Sequence, residues 1–106
     1  MKDYTNKISK QFQCTWQEAI NLPTKLNAEK HLGFDDWYLP GVNELMNAID
    51  RETGKTAPGL EGLRGLFWSS SSYVYNSVFA WYVNFDYGYV GLDNKDNDYD
   101  ARCVRP

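Results

Sequence analysis

The stretch "AWYVNFDYGYVG", residues 80–91, places five aromatic side chains in twelve positions. With Phe79 in front of it, the pattern is period two. Phe79, Trp81, Val83 and Phe85 alternate with Ala80, Tyr82, Asn84 and Asp86, as in a strand with one buried face. Beyond Tyr87-Gly88, the residues Val90 and Leu92 continue the apolar series. A two-residue loop pairs Phe85 with Val90 and Val83 with Leu92, all on one side. Tyrosine is a poor residue for positive φ, so this register predicts a distorted turn; Asp-Tyr-Gly suits a three-residue loop better. The hairpin has two faces: Phe79, Trp81 and Phe85 inside, and Tyr82, Asn84, Asp86, Tyr87 and Tyr89 in water.

Downstream, the polar run "DNKDND" at 93–98 reads as the next turn and residues 99–105 as a closing strand. Upstream, the chain reads helical. Thr15-Trp16-Gln17-Glu18 has the capping-box form, followed by Trp16, Ala19 and Ile20 at one helical face. Pro23 lies too deep for a first-turn proline and predicts a kink or break, with the helix resuming from Leu26 to Leu32 and ending at Gly33. After Pro40, the residues Val42, Leu45, Met46 and Ile49 mark a second helix that stops between Arg51 and Gly54. "GKTAPGLEGLRG", residues 54–65, reads as an irregular loop. Two helices followed by a β-rich second half make an α+β pattern.

A chain of 106 residues suits one domain. Its net charge of −3 argues against nucleic acid, sulfated polysaccharide or anionic membrane as the main partner. Residues 86–100 carry five aspartates (86, 93, 96, 98 and 100) against Lys95 alone, a local net of −4. No apolar run reaches the ~18 residues that span a bilayer, and no signal peptide is visible after Met1. As it stands the chain is expected to be cytoplasmic or phage-associated, and cell-surface or secreted if it is part of an exported protein. Cys14 and Cys103 show no metal-ligand spacing; they form either a long-range disulfide or two buried thiols.

In this order, "TWQEAI", "GFDDWYLPGVNEL", "FWSSSS", "AWYVNFDYGYV" and "RCVR" resemble the Legionella collagen-like protein C-terminal domain family over roughly residues 12–105. The resemblance implies a C-type-lectin-like fold, with two helices on small antiparallel sheets and the termini close together. Some relatives are target proteins of diversity-generating retroelements, in which a fixed frame is interleaved with mutable positions. The matching frame here is Phe67, Trp68, Ser69, Ser70, Ala80, Trp81, Phe85, Gly88, Lys95, Arg102, Val104 and Arg105. Relatives that are not diversified also carry Asn-rich versions of this segment. Two departures stand out. Cys14 precedes the first helix, where relatives often have a cysteine near its end, and the acidic tail does not suit the glycosaminoglycan-binding character of the Legionella protein.

The polar set is Tyr73, Tyr75, Asn76, Tyr82, Asn84, Asp86, Tyr87, Tyr89, Asp93, Asn94, Asp96, Asn97, Asp98, Tyr99 and Asp100. Tyrosine offers a rigid amphipathic face, and asparagine and aspartate offer adaptable hydrogen bonds, the economy of antibody binding loops. The expectation is a non-enzymatic module binding a protein or glycan ligand, with no cofactor. The alternative is a structural part of a phage or surface assembly, its interface forming a homo-oligomer. A calcium reading of Asp96, Asp98 and Asp100 lacks the turn glycine and distal glutamate of an EF-hand. Catalysis has little to work with. His31 is the single histidine, Ser69–Ser72 lack a nucleophile-elbow context, and the paired cysteines of formylglycine-generating relatives are absent.

Overall fold

A computed structural model describes residues 12–47, 49–50, 55–56 and 65–106. Thr15 opens α1 (Trp16–Ala28) with the expected reciprocal cap. Its Oγ1 accepts from Glu18 N at 3.4 Å, and Glu18 Oε1 accepts from Thr15 N at 3.0 Å. Pro23 does not break the helix. A proline removes one backbone donor, but Leu22 and Leu26 on either side of it are buried, and packing sustains the helix where propensity does not. The end comes at Ala28, earlier than the expected Leu32. Lys30 and Leu32 both take left-handed backbone (φ 49° and 54°), and a 3-10 turn (His31–Gly33) closes with Gly33 at φ 85°.

The second helix, α2 (Val42–Met46), is also shorter than its apolar spacing suggests. Ile49 fits the helical stripe in sequence, yet it lies in β2 (Ile49–Asp50), antiparallel to β3 (Lys55–Thr56). The serine run fixes where α2 begins: Ser70 N donates to Pro40 O at 2.9 Å, and Val42 N donates to Ser71 Oγ at 3.1 Å. Of the expected loop at 54–65, only 55, 56 and 65 are described, and the expected helix end at 51–54 lies outside the described residues.

The remaining strands are β4 (Leu66–Ser72), β5 (Phe79–Asn84), β6 (Tyr89–Asn94) and β7 (Tyr99–Ala101). With β1 (Phe12–Cys14) they form a five-stranded sheet of order β1-β7-β4-β5-β6. The architecture is α+β, as expected, but the sheet is not wholly antiparallel: β4 and β7 run parallel. β1 pairs with β7, bringing the first and last described strands together, and a bridge between Tyr38 and Val104 follows. Ser69–Ser72 belong to β4. Its pairing with β5 shifts register between Trp68 and Ser72. Buried Ser69 closes that irregularity by donating to Trp81 O at 2.7 Å and accepting from Ser71 N at 3.1 Å.

The β5–β6 register differs from the expected one by two residues. Val83 faces Val90, Trp81 faces Leu92 and Asn84 faces Tyr89, leaving residues 85–88 as a four-residue loop. A two-residue shift preserves which side each residue occupies, but burial does not follow the expected split. Ala80 and Asn84 are buried, whereas Phe79 and Trp81, expected inside, are half-buried and join neither core, because both faces of the sheet are packed. The longer loop puts Gly88 rather than Tyr87 at positive φ (76°), which resolves the conflict with turn chemistry.

Both faces of the sheet are covered. On one side, Trp68, Ala80, Ala101, Cys14 and Cys103 pack with Leu22 and Leu26 of α1 and with Trp37 and Leu39. On the other, Phe67, Val83 and Phe85 pack with Leu45 of α2. Three indoles anchor the first layer by donating to main-chain oxygens: Trp16 to Ser69, Trp37 to His31 and Trp68 to Cys14, at 2.9, 3.0 and 3.0 Å. Cys14 and Cys103 are separate buried thiols. Cys14 lies opposite Tyr99 in the β1–β7 pairing, whereas Cys103 follows two residues beyond the end of β7.

Candidate functional site

The residues nominated from sequence divide by location. Along β5 and β6, on the face that packs α1 elsewhere, stand Tyr82, Tyr89 and Asp93, with Tyr99 reaching across from β7. Tyr99 packs its ring against Trp68 (4.8 Å between centroids) and Tyr82 (5.1 Å), and its hydroxyl donates to Asp93 Oδ2. Asp93 Oδ1 also accepts from Asn97 Nδ2 at 2.8 Å and from Asn94 N at 2.7 Å. The Tyr99 hydroxyl is the main reason the Asp93 carboxyl is held below its ordinary value. Burial first, then that same bond, pushes the Tyr99 phenol upward. This is an ordered donor–acceptor pair at the base of the face.

Tyr82 lies across Gly91 of the neighbouring strand. A Cβ at Gly91 would meet the Tyr82 hydroxyl at 2.6 Å and its Cζ at 2.7 Å, so only glycine admits the ring there. In front of this half-buried layer, Tyr87 and Tyr89 stack nearly parallel (centroids 6.5 Å apart, 14° between planes) and are 76% and 48% exposed. Neither belongs to a core cluster.

Two expectations fail here. Tyr82 does not stand in water but packs against the α1-side core. Asn84 is 4% exposed. It is a turn anchor: its Oδ1 accepts from Asp86 N at 2.9 Å and from Tyr87 N at 3.1 Å. The same device recurs at each loop. Asn76 Oδ1 accepts from Val78 N at 3.0 Å, and Asn94 Oδ1 accepts from Asp96 N at 2.9 Å. An asparagine in a loop or at a strand end whose side chain bonds the backbone two residues ahead is a recognised turn former, a signal that the sequence carries at Asn76, Asn84 and Asn94. Asp86 is exposed, but its Oδ1 holds Gly65 N at 3.1 Å. Asp100 pairs with Phe67 and, by strand alternation, faces the side opposite Tyr99. Asp96, Asn97 and Asp98 form the exposed turn beyond β6. No metal-binding cluster occurs among the described residues.

A second group sits at the β4–β5 loop. Tyr73 packs edge-on against Trp81 (5.8 Å) and Tyr75 (5.5 Å). Tyr75 and Val74 are both 84% exposed there, and Val74 is a residue the sequence reading did not nominate.

The residues of the resemblance's fixed frame hold the fold. Lys95 Nζ sits 4.1 Å over the Trp16 ring and donates to Ser72 Oγ at 2.7 Å, while its backbone O accepts from Trp16 N, tying α1 to the end of β6. Arg105 grips Asp36 with two bonds of 2.8 and 3.2 Å and lies 3.6 Å over the Phe34 ring; its guanidinium lowers the Asp36 carboxyl. Of the groups weighed for catalysis, Cys103 is fully buried and His31 lines a groove along α1 with Glu18, Lys25 and Glu29. The Cys14 thiol, raised by burial and then by nearby Glu18, Asp98 and Asp100, is pushed up to about 12 and stays protonated at neutral pH.

The molecule is thus an α+β protein whose sheet ends in a tyrosine-lined face backed by a fixed carboxylate. The model of the Lcl C-terminal domain family matches residues 2–105, and the chain belongs to that family. A comparison with curated proteins finds no match. No helix among the described residues is long and apolar enough to cross a membrane.

Proposed function

We propose that this chain is a single, non-enzymatic ligand-binding domain of C-type-lectin-like fold that presents Tyr87, Tyr89 and their neighbours to a protein or glycan. The observation that carries the reading is the exposed Tyr87–Tyr89 stack, which contributes to neither core yet rests on the ordered layer of Tyr82, Tyr99 and Asp93. A rigid backing lowers the ordering cost of binding, and exposed tyrosines supply contact area with few rotatable bonds. The loop group of Tyr73, Val74 and Tyr75 extends the available surface. Phe67, Trp68, Ala80 and Phe85 of the frame lie in the cores, while Tyr75, Tyr87 and Tyr89 outside the frame are exposed. That division suits a diversified or once-diversified face even though Tyr82 and Asn84 are packed inside.

The test is a screen of the protein against a glycan array and a displayed library of small protein domains, repeated with Tyr87→Ala/Tyr89→Ala. A ligand held by this face should weaken by about 2 kcal/mol or more in the double variant, as a hot-spot pair does. Undiminished binding would place recognition elsewhere. For diversification, the neighbouring DNA decides: a reverse transcriptase beside a near-copy of the 3′ coding region differing at adenines supports it, and its absence speaks against it.

A further inference from the structure

The two edges of the sheet are unequal. β1 has three residues, a length that offers little to a partner strand. β6 has six, pairs with β5 without a register break from Asn84↔Tyr89 to Phe79↔Asn94, and has no described strand on its outer side. Proteins usually guard such an edge with lysine, proline or a bulge. Residues 89–94, "YVGLDN", contain none of these, and their one charge, Asp93, is engaged on the sheet face with Tyr99 and Asn97.

The direction of the free groups follows from the ladder. Lys95 N donates inward to Val78 O at 3.0 Å, so Asp93, Gly91 and Tyr89 also point their main-chain groups toward β5. Val90 and Leu92 then point theirs outward. The N–H of Asn94 is capped by Asp93 Oδ1 at 2.7 Å. An incoming strand would lie beside Tyr89, Gly91 and Asp93 on one face, with the Tyr82 ring overhanging Gly91, and beside Val90 and Leu92 on the other.

We propose that β6 is a strand-addition site for an extended peptide with an apolar centre flanked by lysine or arginine. The proposal rests on the reading of this region as a recognition surface and names the partner's form. Charge selects the occupant. Residues 86–100 carry five aspartates against Lys95, and Lys95 is engaged with Trp16 and Ser72. A second copy laid antiparallel on β6 would set Asp86 of each chain near the acidic turn of the other; laid parallel, it would set the two acidic turns together. Like charges in either arrangement oppose pairing, whereas basic flanks are attracted at both ends. Backbone bonds to Val90 and Leu92 supply affinity, and alternate side chains over Tyr89 and Asp93 supply choice.

The experiment selects binders from a displayed library of random linear dodecapeptides and measures their affinity for the wild type and Leu92→Pro. Proline at 92 removes an outward N–H while leaving the β5 ladder intact, as edge strands allow. Its fold is checked by the amide spectrum. Selected peptides should be rich in β-branched residues and lysine or arginine, and Leu92→Pro should weaken them by about tenfold, the scale of one lost backbone bond plus the displaced strand. Should that variant fail to fold, N-methylation of successive peptide residues on the wild-type protein serves alone, with every second position expected to be sensitive. Peptides that bind Leu92→Pro unchanged, or an N-methyl scan without period two, overturn strand addition. If those same peptides lose affinity in Tyr87→Ala/Tyr89→Ala, the recognition face stands without it. A library that yields no binder overturns strand addition, while ligands on the glycan array or domain library keep the broader reading alive.

Discussion

Tyr82 and Tyr99 on one hand, and Tyr87 and Tyr89 on the other, are the same residue type within one small region and do different work. The first pair is wedged between the α1-side core and the carboxylate of Asp93. The second pair stacks on itself in solvent. What separates them is whether another layer of the protein lies across the ring. The inner pair should register chiefly in stability, the outer pair chiefly in binding.

The largest effect is expected beneath the inner pair. Trp68 is fully buried, carries the Tyr99 ring and donates to Cys14 O. Trp68→Ala should cost about 3–5 kcal/mol, seen as a lowered denaturant midpoint, by creating a cavity and orphaning that oxygen. Gly91→Ala comes next. Its methyl group would collide with the Tyr82 ring, and forced repacking of this kind costs about 1–3 kcal/mol. A neutral result would mean that Tyr82 swings out freely and the inner layer is not fixed.

Tyr99→Phe should cost about 1 kcal/mol by removing the donor to Asp93. It also has a pH signature. Asp93 sits below its ordinary value of 3.8 in the folded protein, so its contribution is complete above that pH and is lost as pH falls through the lower folded value. Melting temperatures below pH 4 should therefore fall less steeply in Tyr99→Phe than in the wild type. Equal slopes would show that the hydroxyl does not set the carboxyl. The smallest effect on stability belongs to Tyr87→Ala/Tyr89→Ala, expected within about 0.5 kcal/mol of wild type, as for surface changes generally. If that double variant melted with the loss seen for Trp68→Ala, the contrast between inner and outer tyrosines would collapse.

Much of the fold was legible because it is local. The Thr15–Glu18 cap is a four-residue device, and the alternation from Phe79 to Phe85 is a backbone period, so both could be read directly. The errors arose where distant chain intervened. Ile49 satisfied a helical spacing but was taken by a strand pairing with Thr56. Pro23 predicted a break that the burial of Leu22 and Leu26 prevented. Asn84 was polar and off the apolar stripe, which suggested solvent; the turn it anchors keeps it inside. Tyr87, Tyr89, Asp96 and Asp98 were placed correctly on the surface because they lie in or beside turns, which sheets rarely cover.

The sequence by itself determined the helix start, the two-sided hairpin, the α+β order and the family, since each is written in neighbouring residues or in the order of motifs. Only the tertiary structure decided the strand register, the covering of both sheet faces and the division among the tyrosines. Those depend on what lies across the sheet, and a ring's exposure is set by its neighbours in space rather than by its neighbours in the chain.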